Sequence, residues 1–168
     1  MDLSSVDMEL VDGAREGSLL LRATDAPRFI WRIRVRPTTA AAWEVYLTCN
    51  QTRICPKTHL HGDGRLFIGL EQGIFILKGD DGSLVGQIPD ICYFQSFDQV
   101  AGGMLLATAE LEVIAFGPES RVLWRTAIPD VLESLELRGD VLVLRDMAGV
   151  EYVLDLATGD PRGRGGGA

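Results

Sequence analysis

The stretch Arg65-Leu66-Phe67-Ile68-Gly69, Ile74-Phe75-Ile76-Leu77, Gly79-Asp80-Asp81-Gly82, Leu84-Val85, Ile88-Pro89-Asp90-Ile91 decides the fold, because most of it occurs twice. The second copy runs Met104-Leu105-Leu106-Ala107, Val113-Ile114-Ala115-Phe116, Gly117-Pro118-Glu119-Ser120, Val122-Leu123-Trp124 and Ile128-Pro129-Asp130-Val131. The Ile-Pro-Asp-aliphatic marker returns after 40 residues, from Ile88 to Ile128. Short apolar runs between turns at a fixed period are the pattern of stacked β-repeats. The repeats span 64–102 and 103–139, with a partial third at 140–160. The first reads as strands near 65–70, 73–78, 83–88 and 91–97, the second as strands near 104–108, 111–116, 121–127 and 132–138. The partial copy holds Val141-Leu142-Val143-Leu144, a turn at Asp146 to Gly149, and a strand from Val150 to Leu156. No amphipathic helix pattern interrupts them, so the expected fold is all-β.

Upstream, residues 17–60 read as diverged strands or a cap on the repeats, with a further short strand inside residues 1–16. Phe29, Trp31, Ile33 and Val35 alternate with Arg28, Arg32, Arg34 and Arg36. Side chains on a strand point to opposite faces in turn, which predicts one face on a core and one in solvent. Trp43, Val45, Leu47 and Cys49 alternate likewise, and the short connection predicts an antiparallel hairpin with Glu44 near the arginine face. Four arginines on one face of an acidic chain form a candidate interaction surface for a carboxylate- or phosphate-bearing partner. A solvated, aggregation-resistant sheet face is the plainer reading of the same residues.

The formal net charge is −8 over 168 residues. That charge opposes contact with polyanions, so neither nucleic acid nor an anionic membrane is an expected partner. At this length one domain over residues 1–160 is expected. The N-terminus, Met1-Asp2-Leu3-Ser4-Ser5-Val6-Asp7-Met8-Glu9, is acidic and lacks the basic start and apolar stretch of a secretory leader. Three cysteines, Cys49, Cys55 and Cys92, do not make a disulfide framework. The cytoplasm is the expected compartment. Residues 161–168, rich in glycine, read as a disordered tail.

Cys49, Cys55, His59 and His61 are the candidate metal ligands, since zinc takes thiolate and imidazole. Their Cys-x5-Cys-x3-His-x-His spacing is not that of a standard finger. Cys49 shares the apolar face of Trp43 and Leu47, where a small buried hydrophobe is the simpler role. No nucleophile elbow and no phosphate loop occurs, and Cys55 with His59 is the one conceivable Cys-His pair.

Leu154-Asp155-Leu156-Ala157-Thr158-Gly159 resembles the turn of the quinoprotein-type (PQQ-like) β-propeller repeat, in which an aliphatic strand leads through Asp and Thr-Gly to a strand ending in Trp. Ala115 to Trp124 is similar, with Trp124 in the docking position. Leu77 to Gly86 keeps the turn but has Gly86 near the tryptophan position. The likeness covers about residues 64–160 and implies propeller-like, antiparallel four-stranded blades. Closure of a ring takes about 4–8 blades. Too few copies are present for a standard closed ring, so a partial or small propeller is expected, and the family's cofactor site does not carry over. The expected function is a non-catalytic protein-interaction module, an adaptor or an inhibitor of the immunity type, with no cofactor. Its expected partner is another protein, and a homodimer would complete the open array. The alternative is a small metal-binding protein or metal-dependent enzyme centred on residues 49–61, with zinc as the metal.

Overall fold

The computed structural model describes residues 2–25 and 27–162. The chain divides into two compact units, Met1–Phe97 and Asp98–Ala168. The chain is almost entirely β, in sheets that are antiparallel, as expected, in all but one strand pair. The first unit opens with β1 (Leu3–Val11), β2 (Leu20–Arg22), β3 (Phe29–Pro37) and β4 (Trp43–Cys49), in one sheet of order β1-β3-β4-β2. A second sheet follows as a meander of β5 (Lys57–Leu60), β6 (Arg65–Leu70), β7 (Gly73–Lys78) and β8 (Leu84–Ile88). Then come β9 (Phe94–Gln99), β10 (Leu105–Ala109), β11 (Glu112–Phe116) and β12 (Val122–Ala127), ordered β12-β11-β10-β9. The last sheet is β13 (Leu132–Arg138), β14 (Val141–Asp146) and β15 (Glu151–Asp155).

The strands fall where the apolar runs place them, but the sheets are out of phase with the repeat. Residues 91–97 were expected to close the first four-stranded unit; β9 belongs instead to the following sheet, and β5 supplies the first strand of the second. The same shift takes β13 out of the second repeat and into the last sheet. The Ile-Pro-Asp marker is the cause. Proline has no N–H to donate to a ladder, and Asp90 and Tyr93 take left-handed backbone angles, φ +57° and +43°. The chain therefore leaves β8 and turns back over its own sheet, where the amide of Ile91 donates to Gln72 (3.2 Å) and that of Phe94 to Glu71 (2.7 Å).

Two further differences concern the N-terminal strands. β1 is nine residues long and pairs antiparallel with β3, setting Asp7 opposite Arg34 and Glu9 opposite Arg32. β2 crosses to the far side of β4 and pairs parallel with it. The stretch 50–63 contains β5, with His59 opposite Phe67.

Each unit has its own core. In the first, Trp31, Ile33, Val35, Val45 and Leu47 pack with Leu66, Ile68, Leu70, Phe75 and Leu77 of the next sheet. In the second, Leu106, Val113, Ala115 and Trp124 pack with Leu142, Leu144 and Leu154. Of the apolar face read on β3, Trp31, Ile33 and Val35 are buried, while Phe29 is exposed at the strand's start.

A tryptophan ties one sheet to the next in each unit by the same contact. Trp124 of β12 donates its indole N–H to the carbonyl of Leu156 (3.0 Å), in the turn after β15. Trp43 of β4 donates to the carbonyl of Gly79 (2.9 Å), in the turn after β7. Each ring lies flush on the glycine that ends the turn. A Cβ on Gly159 would stand 2.6 Å from Trp124, and one on Gly82 2.5 Å from Trp43. Both glycines have positive φ, +73° and +72°, so each position excludes a side chain twice over. The turn after β11 carries Ser120 (φ +58°) at the equivalent place, and Gly86 stands where β12 has Trp124.

The expected tail 161–168 lies outside the described residues from 163 onward. Pro161 and Arg162 are held: Pro161 bridges to Leu154, the Arg162 amide donates to Val153 (2.8 Å), and the Arg162 guanidinium pairs with Asp155 and with Asp140 (2.7 Å).

Candidate interaction surfaces

The arginine strand is not a bare cationic face. Arg32 pairs with Glu9 and Arg36 with Asp7, both from β1, while Arg34 reaches Glu44 of β4 at 3.4 Å. Glu44 also accepts from Tyr46 Oη (3.1 Å) and faces Arg15 at 3.7 Å. Its surroundings partly desolvate the carboxyl, but Tyr46, Arg34 and Arg15 outweigh that and hold its pKa below the usual value. Among the described residues Arg28 alone of the four has no acidic partner. Its amide donates to Cys49 O (2.8 Å), and the residue edges a shallow depression with Leu10, Val11, Asp12, Phe29 and Ile30. The acids of β1 were missed from the sequence as partners, because nothing local says that β1 will lie beside β3.

The four candidate metal ligands do not converge. Cys49 is fully buried in the first core, and its thiol donates to the carbonyl of Gln51 (3.3 Å). Burial, with the Glu71 carboxylate nearby, pushes that thiol's pKa up and keeps it protonated. Cys55 is exposed. His59 and His61 sit among aromatic rings: their own centroids are 6.3 Å apart, Phe97 is 6.3 Å from His59, and Phe67 is 6.0 Å from His61. Nε2 of His59 and Nδ1 of His61 are buried without a hydrogen-bond partner. Burial, then the neighbouring His61, lowers the pKa of His59, which favours its neutral form. Among the described residues no group of three or more His, Cys, Asp or Glu side chains could hold a metal ion.

Two buried carboxylates do structural work that the sequence does not announce. Glu71, 2% exposed, lies in the β6–β7 turn and accepts the backbone amides of Asn50 (2.8 and 2.9 Å) and Gln51 (2.7 Å). It pins the chain leaving β4 to the second sheet. Asp146, 1% exposed, accepts from Tyr152 Oη (2.8 Å) and the Val150 amide (2.9 Å). Burial works against its charge, but Tyr152 and the amides of Val150, Ala148 and Gly149 hold its pKa below the usual range. Both carboxylates are occupied by amides and a hydroxyl, so neither is arranged as an acid-base pair.

No protein-family model matches the chain, and no curated protein matches it. The sheets themselves are similar to a solved structure, BamB from Moraxella catarrhalis. The identity is 15%, the TM-score 0.53, and the match covers 85% of this chain and 50% of that chain. The chain thus spans about half the length of that protein. The likeness shows the fold alone, that of a β-propeller protein. It agrees with the paired tryptophan and glycine contacts, which place the repeat's docking position at Trp43 as well as Trp124. Trp43 is not visible as such in the sequence, because no Asp-x-x-Thr-Gly-like turn precedes it. No helix among the described residues is long and apolar enough to cross a membrane.

Proposed function

We propose that this chain is a non-catalytic protein-interaction module of the cytoplasm, acting as an adaptor or as an inhibitor of the immunity type, without a metal or other cofactor. The observation that carries the reading is the make-up of two sheet edges. β8 and β12 each end a sheet, and at equivalent places they present Leu84-Val85 and Val122-Leu123, 37–43% exposed. Edge strands are commonly blunted by lysine, proline or inward charge, because bare edges invite another chain. Here aliphatic pairs recur instead, as in the apolar centre of protein interfaces. The net charge of −8 favours a basic partner and opposes nucleic acid and anionic lipid. None of the three cysteines is in a disulfide, in keeping with a reducing compartment. A second copy of the chain, completing the array as a homodimer, is a partner of the same kind.

The test uses the tagged chain to recover partners from its own cell, followed by binding of the purified partner to the purified chain. Saturable binding weakened at least tenfold by Val85→Glu or Leu123→Glu supports the reading. Turnover of a small substrate by the chain alone, with no partner recovered, overturns it. So does one equivalent of metal per chain that disappears with Cys55→Ser and His59→Ala.

A further inference from the structure

The last sheet has a vacant strand position among the described residues, and the other sheets show what belongs there. In the second sheet, β7 continues through the turn 79–82 into β8: the Lys78 amide donates to Ser83 O (2.9 Å), and Leu77 faces Leu84. In the last sheet the same bonds recur, with the Asp155 amide on Asp160 O (2.8 Å) and Leu154 facing Pro161. A fourth strand has therefore begun. Beyond that point β8 covers Ile76 to Ile74, and in the third sheet β12 covers Ala115 to Glu112. The corresponding edge, Val153 to Glu151, borders instead an apolar groove of about 290 Å³, walled on its far side by Thr126, Ala127, Ile128 and Pro129.

The edge is equipped for backbone pairing. The carbonyl of Val153 accepts the Arg162 amide, so it points away from β14. The N–H and C=O of one strand residue point the same way, and those two residues along do likewise. The amides of Val153 and Glu151 therefore face the groove. The side chain needed opposite is also indicated. Glu112 holds the place in β11 that Glu151 holds in β15, and it pairs with Arg125 of β12, Nη2 to Oε1 2.9 Å. Glu151 pairs here with Arg145 at 3.1 Å, a residue from the neighbouring strand β14.

We propose that the β15 edge and its groove are a strand-acceptor site for an extended segment of a partner polypeptide. The segment adds antiparallel to β15, sets aliphatic side chains against Ile128 and Pro129, and brings a basic side chain to Glu151. This rests on the interaction-module reading, but its test needs no natural partner. The probe is a synthetic peptide of residues 121–128 (Arg-Val-Leu-Trp-Arg-Thr-Ala-Ile), the strand that fills the equivalent position one sheet earlier. Added to the full chain, it should shift the amide resonances of Glu151 and Val153 saturably and slow their exchange. N-methylation of alternate peptide amides should abolish the effect. Val153→Pro, which removes a donor that β14 does not use, should weaken binding at least tenfold. Replacing the peptide's second arginine by alanine should weaken it several-fold and reduce its dependence on salt. No saturable shift, or a shift confined to other strands, overturns the site. So does strong protection of the Glu151 and Val153 amides in the free chain, which would mean that the chain's own continuation occupies the groove. If the peptide fails while a natural partner still binds in a manner sensitive to Val85→Glu, the strand site falls and the module reading stands.

Discussion

At the scale of single residues, the tryptophan–glycine contacts are the most demanding positions in the molecule. A left-handed backbone costs a non-glycine residue about 1–2 kcal/mol, and forcing a methyl into a packed site costs about 1–3 kcal/mol more. Gly159→Ala should therefore destabilise by about 2–5 kcal/mol in a denaturant titration, summing those two costs. Shrinking Trp124 in the same chain should relieve only the steric share, since the strain at φ +73° remains. His59 makes a prediction of a different kind. Its pKa lies below the ordinary histidine value of 6.5, through burial and then His61. The unfolded chain takes up the proton first as pH falls. The stability this group supplies is thus complete above about pH 6.5 and declines from there down to its lowered folded value. The melting temperature should drop between pH 7 and pH 5, and His59→Phe should flatten that drop. An unchanged slope would show that the aromatic cluster does not govern it. The four arginines illustrate how much a residue's meaning depends on neighbours. As a list they are a cationic stripe, but three are answered by Glu9, Asp7 and Glu44.

At the scale of elements, the alternation of β3 and β4 and the apolar runs of β6, β7, β10, β11 and β14 were all legible, because period-two burial is a local property of sequence. Elements were lost where burial comes from elsewhere. β5 is only four residues, Lys57-Thr58-His59-Leu60, and becomes a strand because β6 offers it a ladder. β1 looked weak because its exposed side chains are acids, and those acids are stable there because β3 supplies arginines. Exposed pairs of this sort contribute about 0–1 kcal/mol each. Replacing Asp7 by Asn should accordingly lower stability by less than about 1 kcal/mol and leave the sheet intact. The Glu71 clamp is a stronger element-level contact. Glu71→Gln leaves a poorer acceptor for two backbone amides and should cost about 1–3 kcal/mol. Hydrogen exchange at Asn50 and Gln51 should accelerate more than at Val45 or Leu47, and equal acceleration would show the loss to be global.

At the scale of the whole molecule, the repeat predicted the kind of sheet and misplaced its boundaries by one strand. The family likeness rested on turns, and the sheets bear out the propeller-type fold at the level that BamB supports. The metal-centred alternative needed four side chains within about 2 Å of one ion. They are dispersed between a closed core, a solvent-exposed position and an aromatic cluster. Purified chain should melt at the same temperature with and without a chelator, as followed by circular dichroism. A fall on chelation would require a ligand set other than the one considered. Solution mass checks the homodimer: twice 18.3 kDa is expected of a paired array and 18.3 kDa of a chain that binds a different protein.

The sequence by itself determined the all-β class, the positions of most strands and the turn glycines, because each follows from side-chain alternation, from missing donors or from a backbone angle only glycine takes freely; the docking role of Trp124 was implied by the family resemblance. Tertiary structure alone decided which strand joins which sheet, that Trp43 repeats the docking contact, that three of the four arginines are neutralised, and that the Cys/His cluster is split. Those outcomes depend on contacts between residues 20 to 40 positions apart, such as Asp7 with Arg36 and Trp43 with Gly79. No local pattern encodes such a distance. It is settled when apolar faces find each other and the charged residues around them are left to pair.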